Sequence, residues 1–404
     1  PQQRTMAAFR RNLSRFQLPR TGVCVQGSKL PSTGGMKWSL TQPCSLKAPR
    51  VCSFLNAGSV VQCTHSAFGT KRLMSSQPSR VPPSNQIKKV LSQIKHAEEL
   101  SQFIILHLDR LDCSAVSTAF YKMAGLSAKI SNPTSFGTGG AAPEMVRVAI
   151  DQLSLRAMSC IEQYELPAPD LARTLWALGQ MGPGLWPQTV AQLLEALIHR
   201  VEASAHSFAP RELVEIFQAL RDMPWLAEER ALRALFKQGS NIAKDFSPAL
   251  IAALLPTMHS LKVTEKNKML QDICRHAAAV APTFSPYLIA MTLRPLANIK
   301  SRSGMPAKET DEVQAAKVKA PMDVLVEGLC HRASSAITLF DPREVSSTLR
   351  SLADLGVPRE ALPVVVMTKR VARGNDEFEP EAIADALVGL ASLKTGGGGG
   401  GGGG

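Results

Sequence analysis

The chain has 404 residues, 45% of them apolar and 5% aromatic, with 46 Lys and Arg against 33 Asp and Glu. A formal charge of +13 and a pI near 9.5 would suit a nucleic-acid binder, yet the excess sits at one end. Residues 1–85 hold 12 basic residues and no acid, whereas 34 basic residues face 33 acidic ones from residue 86 onward. The body of the chain is therefore close to neutral, and its charge alone names no partner.

Two further classes fall away. No run of about 18 apolar residues is present, so no membrane insertion is expected. The eight cysteines include no Cys-x-x-Cys pair, which argues against both a zinc site and a disulfide framework. Free, mostly buried thiols are expected, with no metal and no cofactor.

In chain order, the first 74 residues read as an address or an arm. Phe9, Leu13 and Phe16 fall on one helical face, with Arg10, Arg11 and Arg15 around the rest of the turn. An acid-free, Arg- and Ser-rich amphipathic stretch has the character of a mitochondrial transit peptide. Lys71-Arg72-Leu73-Met74-Ser75-Ser76 is similar to a matrix-processing site. The alternative is a retained basic extension threading through RNA, whose candidate contacts are Lys37, Lys47, Arg50, Lys71, Arg72 and Arg80. Residues 20–85 are rich in Gly, Pro, Ser and Lys without hydrophobic period and are expected to be mostly irregular, with 75–85 serving as a linker.

From residue 86 to 394 the pattern becomes helical and repeats. Phe208-Ala-Pro, Phe246-Ser-Pro, Phe284-Ser-Pro, Phe340-Asp-Pro and Phe378-Glu-Pro recur at spacings of 38, 38, 56 and 38. The long step accommodates a polar insert at 301–320. Weaker copies start at Leu111 and Leu166, with extra residues at 131–143 and at 182–187. A small polar residue followed by Pro is the expected start of a helix. Counting from the Phe as zero, apolar residues at +5, +9, +12 and +15 cluster on one helix face at 100° per residue; Leu213, Phe217, Leu220 and Met223 are one such set. A second apolar helix follows, carrying Leu232, Leu235 and Phe236 in one copy and Leu270, Ile273 and Cys274 in the next. Such a hairpin is too small to bury its own stripe, and stacking buries it. The expected fold is all-α: an α-solenoid of about seven 38-residue helical hairpins. Residues 86–110 would supply a helical cap or half-repeat, and 395–404 a Gly-rich tail.

Leu171-Ala-Arg-Thr-Leu-Trp-Ala-Leu-Gly-Gln-Met-Gly182 resembles the LANTLWALAKLG helix of organellar octotricopeptide and heptatricopeptide repeat proteins, and the 38-residue period matches the octotricopeptide unit. The run from Ile87 to Phe120 is similar to the opening of FAST-kinase-like and RAP-domain proteins. The resemblance implies a mitochondrial or plastid RNA-binding solenoid acting in transcript maturation, stability, translation or the mitochondrial ribosome. No RAP domain follows the repeats in this sequence, so the nuclease role proposed for such domains carries no expectation here.

The period also says which residues face away from the stripe. Positions +3, +7, +10 and +14 place Tyr121, Arg173, Trp176, Gln180, Arg211, Gln218, Tyr287, Arg294, Asn298, Arg343 and Arg350 on that surface. Aromatic and guanidinium planes beside amides suit stacking a base and bonding its edge. The same residues also suit a solvated face, and Tyr121 and Trp176 suit packing between repeats. No enzymatic constellation emerges. Gly137-Thr-Gly-Gly140 lacks the Lys-Ser/Thr of a phosphate loop, and His107, Asp109 and His331 converge on no pocket motif. The expected partners are RNA, rRNA first, and neighbouring proteins of a large mitochondrial-matrix particle, with no small-molecule substrate. A protein-binding scaffold of another matrix assembly is the competing class, favoured by the near-neutral body.

Overall fold

The computed structural model describes residues 84–130, 141–163, 166–303, 319–374 and 377–393. Fifteen α-helices and no strand occur among the described residues. The odd-numbered helices are α1 (Ser84–Gln93), α3 (Cys113–Ile130), α5 (Ala168–Met181), α7 (Pro210–Asp222), α9 (Pro248–Ser260), α11 (Pro286–Ser303), α13 (Pro342–Asp354) and α15 (Pro380–Ser392). The even-numbered helices are α2 (Ala97–His107), α4 (Ala141–Gln163), α6 (Gln188–Ser204), α8 (Glu229–Asn241), α10 (Lys268–Ala279), α12 (Pro321–Ser335) and α14 (Leu362–Arg373). Each odd helix packs on the next odd helix and each even helix on the next even one, while α3–α4 through α13–α14 also pair as hairpins. Two stacks share one continuous apolar core from Ile87 to Leu393, the packing order of an α-solenoid.

The signature tripeptide explains where each odd helix starts. Its Phe is buried to the backbone in every copy (Phe208, Phe246, Phe284, Phe340 and Phe378), and a single 3-10 turn precedes the first four of these. The chain leaves that turn extended, so the Phe anchors the entry as a hydrophobic staple does. Where the next residue is Ser or Asp it caps: Ser247 Oγ accepts from Leu250 N at 3.4 Å, and Asp341 Oδ1 accepts from Glu344 N at 2.7 Å while Glu344 Oε2 accepts from Asp341 N at 2.9 Å. Pro at the first helical position loses no bond, since that N–H has no intrahelical partner. The copies at Leu111 and Leu166 start their helices at the same offset, at Cys113 and Ala168.

Burial follows the +5, +9, +12 pattern, and Leu213, Phe217 and Leu220 are wholly buried. The buried face is wider than the apolar period alone indicates, because both flanks of each odd helix meet an odd neighbour. Position +11 is small or compact (Ala177, Ala219, Thr257, Pro295, Ser351, Gly389) and also buried, which lets adjacent helices approach. At the last of these, a Cβ on Gly389 would lie 2.9 Å from the Arg350 backbone nitrogen.

A second device fastens the two helices of a hairpin. Gln238 Nε2 donates to the Phe208 carbonyl at 3.0 Å, His276 Nε2 bonds the Phe246 carbonyl at 3.0 Å, and Arg332 Nε donates to the Phe284 carbonyl at 3.2 Å. In the next hairpin Arg370 reaches the Ile337 carbonyl, and in the first Arg156 reaches that of Leu111. The carbonyls of Leu111, Phe208, Phe246 and Phe284 lie just outside a helix start without a ladder partner, so a side chain from the even helix satisfies each; the Ile337 carbonyl, in the 3-10 turn, also accepts from the Phe340 N–H at 3.4 Å.

Three boundaries move relative to the sequence reading. Residues 86–110, expected as a helical cap or half-repeat, form most of α1 and all of α2, which continue the two stacks. Helix α1 begins at Ser84, inside the expected linker. Residues 141–143 and 301–303 of the expected inserts are helical. After α5, the extra residues are taken up at Gly182, whose φ of 70° suits glycine, and by a 3-10 turn at Pro183–Leu185.

Candidate nucleic-acid interface

The residues singled out from the period lie on the exposed stripe of the odd stack, and they divide into two groups. In the first, stripe residues of successive repeats bond to one another. Tyr121 on α3 stacks on Trp176 of α5, with ring centroids 5.1 Å apart, and Trp176 Nε1 donates to Gln218 Oε1 of α7 at 3.1 Å. Gln180 Nε2 donates to Asp222 Oδ2 at 2.8 Å, one turn further along. Arg173 lies 6.0 Å from the centroid of the Tyr121 ring and 3.5 Å from Asp170. Towards the other end, Arg343 pairs with Glu379 at 2.6 Å and Arg350 with Asp385 at 3.2 Å, while Arg211 pairs within its own helix with Glu215 at 3.1 Å. Glu379 holds the Arg343 guanidinium firmly in its charged form. These pairs are exposed, and pairs of that kind contribute little and exchange readily.

The second group converges on one groove, and Arg343 belongs to both groups. Between α9, α11 and α13 lies an open groove of about 530 Å³ into which Tyr287, Arg294, Asn298 and Arg343 all project. Positions 287, 294 and 298 are seven and eleven residues apart on α11, one helical face. Tyr287 is 59% exposed, and among the described residues neither Tyr287 nor Arg294 has a side-chain hydrogen bond or ion pair. Pro256 and Pro295 also line the groove. Because proline has no N–H, the carbonyls of Ala252 and Met291 lack their usual helical donors. His259, on the same wall, has its pKa lowered by burial and then by the charge of Arg302, whose Nη1 donates to the His259 carbonyl at 2.6 Å. Its imidazole is thus biased towards the neutral form, able to donate and accept. Glu344, a further lining residue, is raised by burial and then by Asp341, though its bond from the Asp341 N–H opposes this.

No protein-family model and no curated protein matches the chain. The site is therefore read from its chemistry: a flat exposed ring, a guanidinium unpaired among the described residues, an amide and the freed Met291 backbone within one groove. Such a set can stack an unpaired base, bond its edge and neutralise its phosphate.

A second groove, of about 580 Å³, lies between α8 and α10 and includes no stripe residue. Its cations are partly committed: Arg233 pairs with Glu229 at 2.6 Å, and Lys268 reaches both Asp272 and Ser240. Burial opposes the ionisation of Asp272, but bonds from Ser240 and Lys268 hold its carboxyl below the usual range. Among the described residues no group of three or more His, Cys, Asp and Glu is placed to hold a metal ion, and no helix is long and apolar enough to cross a membrane. Cys113, Cys160, Cys274 and Cys330 are free thiols. Burial pushes Cys160 and Cys274 up to about 12 and Cys330 to about 11, which leaves these three protonated and poorly nucleophilic. The extension candidates Lys37, Lys47, Arg50, Lys71, Arg72 and Arg80, the Gly137–Gly140 segment and the Gly tail lie outside the described residues.

Sequence reasoning missed two things. The groove needs Arg343 from α13 beside α11, a juxtaposition that a helical period within one repeat does not encode. The prolines at 256 and 295 were legible as helix residues lacking a donor, and they were the available signal for the freed carbonyls.

Proposed function

We propose that this chain is a non-enzymatic RNA-binding helical-repeat protein of the mitochondrial matrix, built of about seven 38-residue hairpins and serving as a structural component of the mitochondrial ribosome in contact with rRNA. The observation that carries the RNA reading is the groove between α9, α11 and α13, where Tyr287, Arg294, Asn298 and Arg343 converge on the stripe that the repeat exposes. The acid-free N-terminal segment and the resemblance of Leu171–Gly182 to organellar repeat helices support the compartment and the ligand class. The ribosome is preferred over a free transcript maturation or stability factor because a near-neutral solenoid has little net positive charge to hold free RNA, since affinity rises with phosphates neutralised. A large particle adds protein contacts to a basic arm.

The test is fluorescence anisotropy of the full chain with labelled single-stranded oligonucleotides tiled across the organelle's rRNA. Removing a base-stacking side chain costs about 1–3 kcal/mol, roughly 5- to 150-fold in affinity, so Tyr287→Ala and Arg294→Ala are each expected to weaken binding within or near that range. Binding that is absent, or indifferent to both substitutions with the helical content intact, would contradict the reading. The scaffold alternative is favoured by one observation: the Tyr121–Trp176–Gln218 ladder and the Gln180–Asp222 bond already occupy much of the stripe with contacts inside the chain.

A further inference from the structure

Two of the four thiols on the described helices share a hairpin. Cys113 is the first residue of α3 and partly exposed, whereas Cys160 stands near the end of α4 and is buried. The end of α4 returns to the start of α3. Arg156, one turn before Cys160, donates from Nε to the carbonyl of Leu111, two residues before Cys113, at 3.1 Å. The 3-10 turn Leu108–Arg110, which leads into α3, also packs on α4. Across this junction the Cys113 and Cys160 thiols are hydrogen-bonding neighbours. Cys274 and Cys330, by contrast, lie on two different hairpins, on α10 and α12.

We propose that Cys113 and Cys160 are a redox pair, oxidised by a small disulfide such as oxidised glutathione to a bond that staples α3 to α4. Exposure sets the order of events. Cys113 is the thiol that solvent reaches. Its thiolate attacks one sulfur of the reagent, forms a mixed disulfide and expels a glutathione thiolate, which takes up the proton that Cys113 gave up. Burial, and then the Cys113 thiol, keeps Cys160 protonated, while the charge of Arg156 opposes them. Cys160 therefore reacts poorly with reagents in solution and takes the second step, where its target is held beside it. It loses its proton, bonds to the Cys113 sulfur and displaces the second glutathione. Two thiols are oxidised, and one disulfide is reduced to two thiols. The new bond stands beside the Arg156–Leu111 link and closes the loop from 113 to 160, which restricts the unfolded chain. The proposal is independent of RNA binding.

The full chain, reduced and then incubated with oxidised glutathione, is digested without reductant, and its cysteine peptides are mapped by mass spectrometry. Wild type is expected to give a Cys113–Cys160 cross-link that a thiol reductant removes. Cys160→Ala should stop at glutathione on Cys113, and Cys113→Ala should leave Cys160 unmodified. Oxidised wild type should unfold at a higher urea concentration than reduced wild type, a shift absent from Cys113→Ala. The wild-type map decides the matter even where a variant loses helical content by circular dichroism. Glutathione retained on Cys113 in wild type, either thiol linked to any other cysteine, both thiols unchanged, or equal urea midpoints for the two wild-type forms would each overturn the proposal.

Discussion

Replacing Gln238 by Leu should loosen one hairpin without opening a cavity, because the two side chains are similar in volume. Gln238 is 9% exposed on α8, and its amide is the donor to the Phe208 carbonyl at 3.0 Å. That carbonyl precedes α7 and accepts no other backbone bond among those outside the helices. A satisfied hydrogen bond contributes about 0.5–1.5 kcal/mol net, but a buried acceptor left bare costs about 1–3 kcal/mol. The second figure applies here, because the substitution removes the donor and leaves the acceptor in place. In a stack that depends on its neighbours, the loss should appear first as opening of the α7–α8 pair. Urea unfolding followed by circular dichroism gives the total, and hydrogen exchange of residues 205–241 gives its location. Gln238→His should retain most of the stability, since His276 does the same work at the matching position 38 residues later. A Leu variant within about 0.3 kcal/mol of wild type, or one no worse than the His variant, would refute the reasoning that these donors fasten the hairpins.

Other outcomes follow from the same geometry. A double-mutant cycle on Trp176→Phe and Gln218→Leu should show coupling of about 0.5–1.5 kcal/mol in urea unfolding, and additive effects would mean the ladder bond carries no stability. Gly389→Ala, ordinarily favourable in a helix by about 1 kcal/mol, should instead destabilise by about 1–3 kcal/mol, because its Cβ meets the Arg350 backbone nitrogen at 2.9 Å; a raised urea midpoint would show that α13 and α15 separate freely. The pKa of His259 is lowered below its ordinary 6.5 by burial and then by Arg302, and that of His107 by burial and then by Arg110. The unfolded chain therefore binds more protons just below pH 6.5, and the stability present above that value falls as pH drops through it. Thermal unfolding from about pH 7.5 to 5.5 should show this loss, reduced in His259→Gln; identical profiles for the two proteins would remove His259 from the account.

The repeat architecture was readable because the same constraint recurs. Phe at position zero and Pro two residues later mark the starts of α7, α9, α11, α13 and α15, and the +5, +9, +12 stripe marks what the stack buries. Residues 86–110 were legible as helical, but α1 and α2 carry no Phe-x-Pro signal to place their starts, and His96, before α2, makes no side-chain cap. The hairpin fasteners were not legible because Gln238, His276, Arg332 and Arg370 differ in type and share only the ability to donate. The candidate face was legible as a face, but a helical period does not say whether a stripe residue points to solvent or to the next repeat. Tyr121, Trp176 and Gln218 turn to one another because successive odd helices bring the +10 positions side by side. Arg294 has no side-chain partner among the described residues, since Pro256, at the +10 position of α9, has no polar group to engage it.

The central claim is association with RNA in a large particle, and sedimentation of a mitochondrial lysate on a sucrose gradient, with and without RNase, tests it most directly. The account predicts that the chain travels with rRNA in the heavy fractions and collapses to light ones after RNase. Migration unchanged by RNase, or absence from the heavy fractions in untreated lysate, would contradict it.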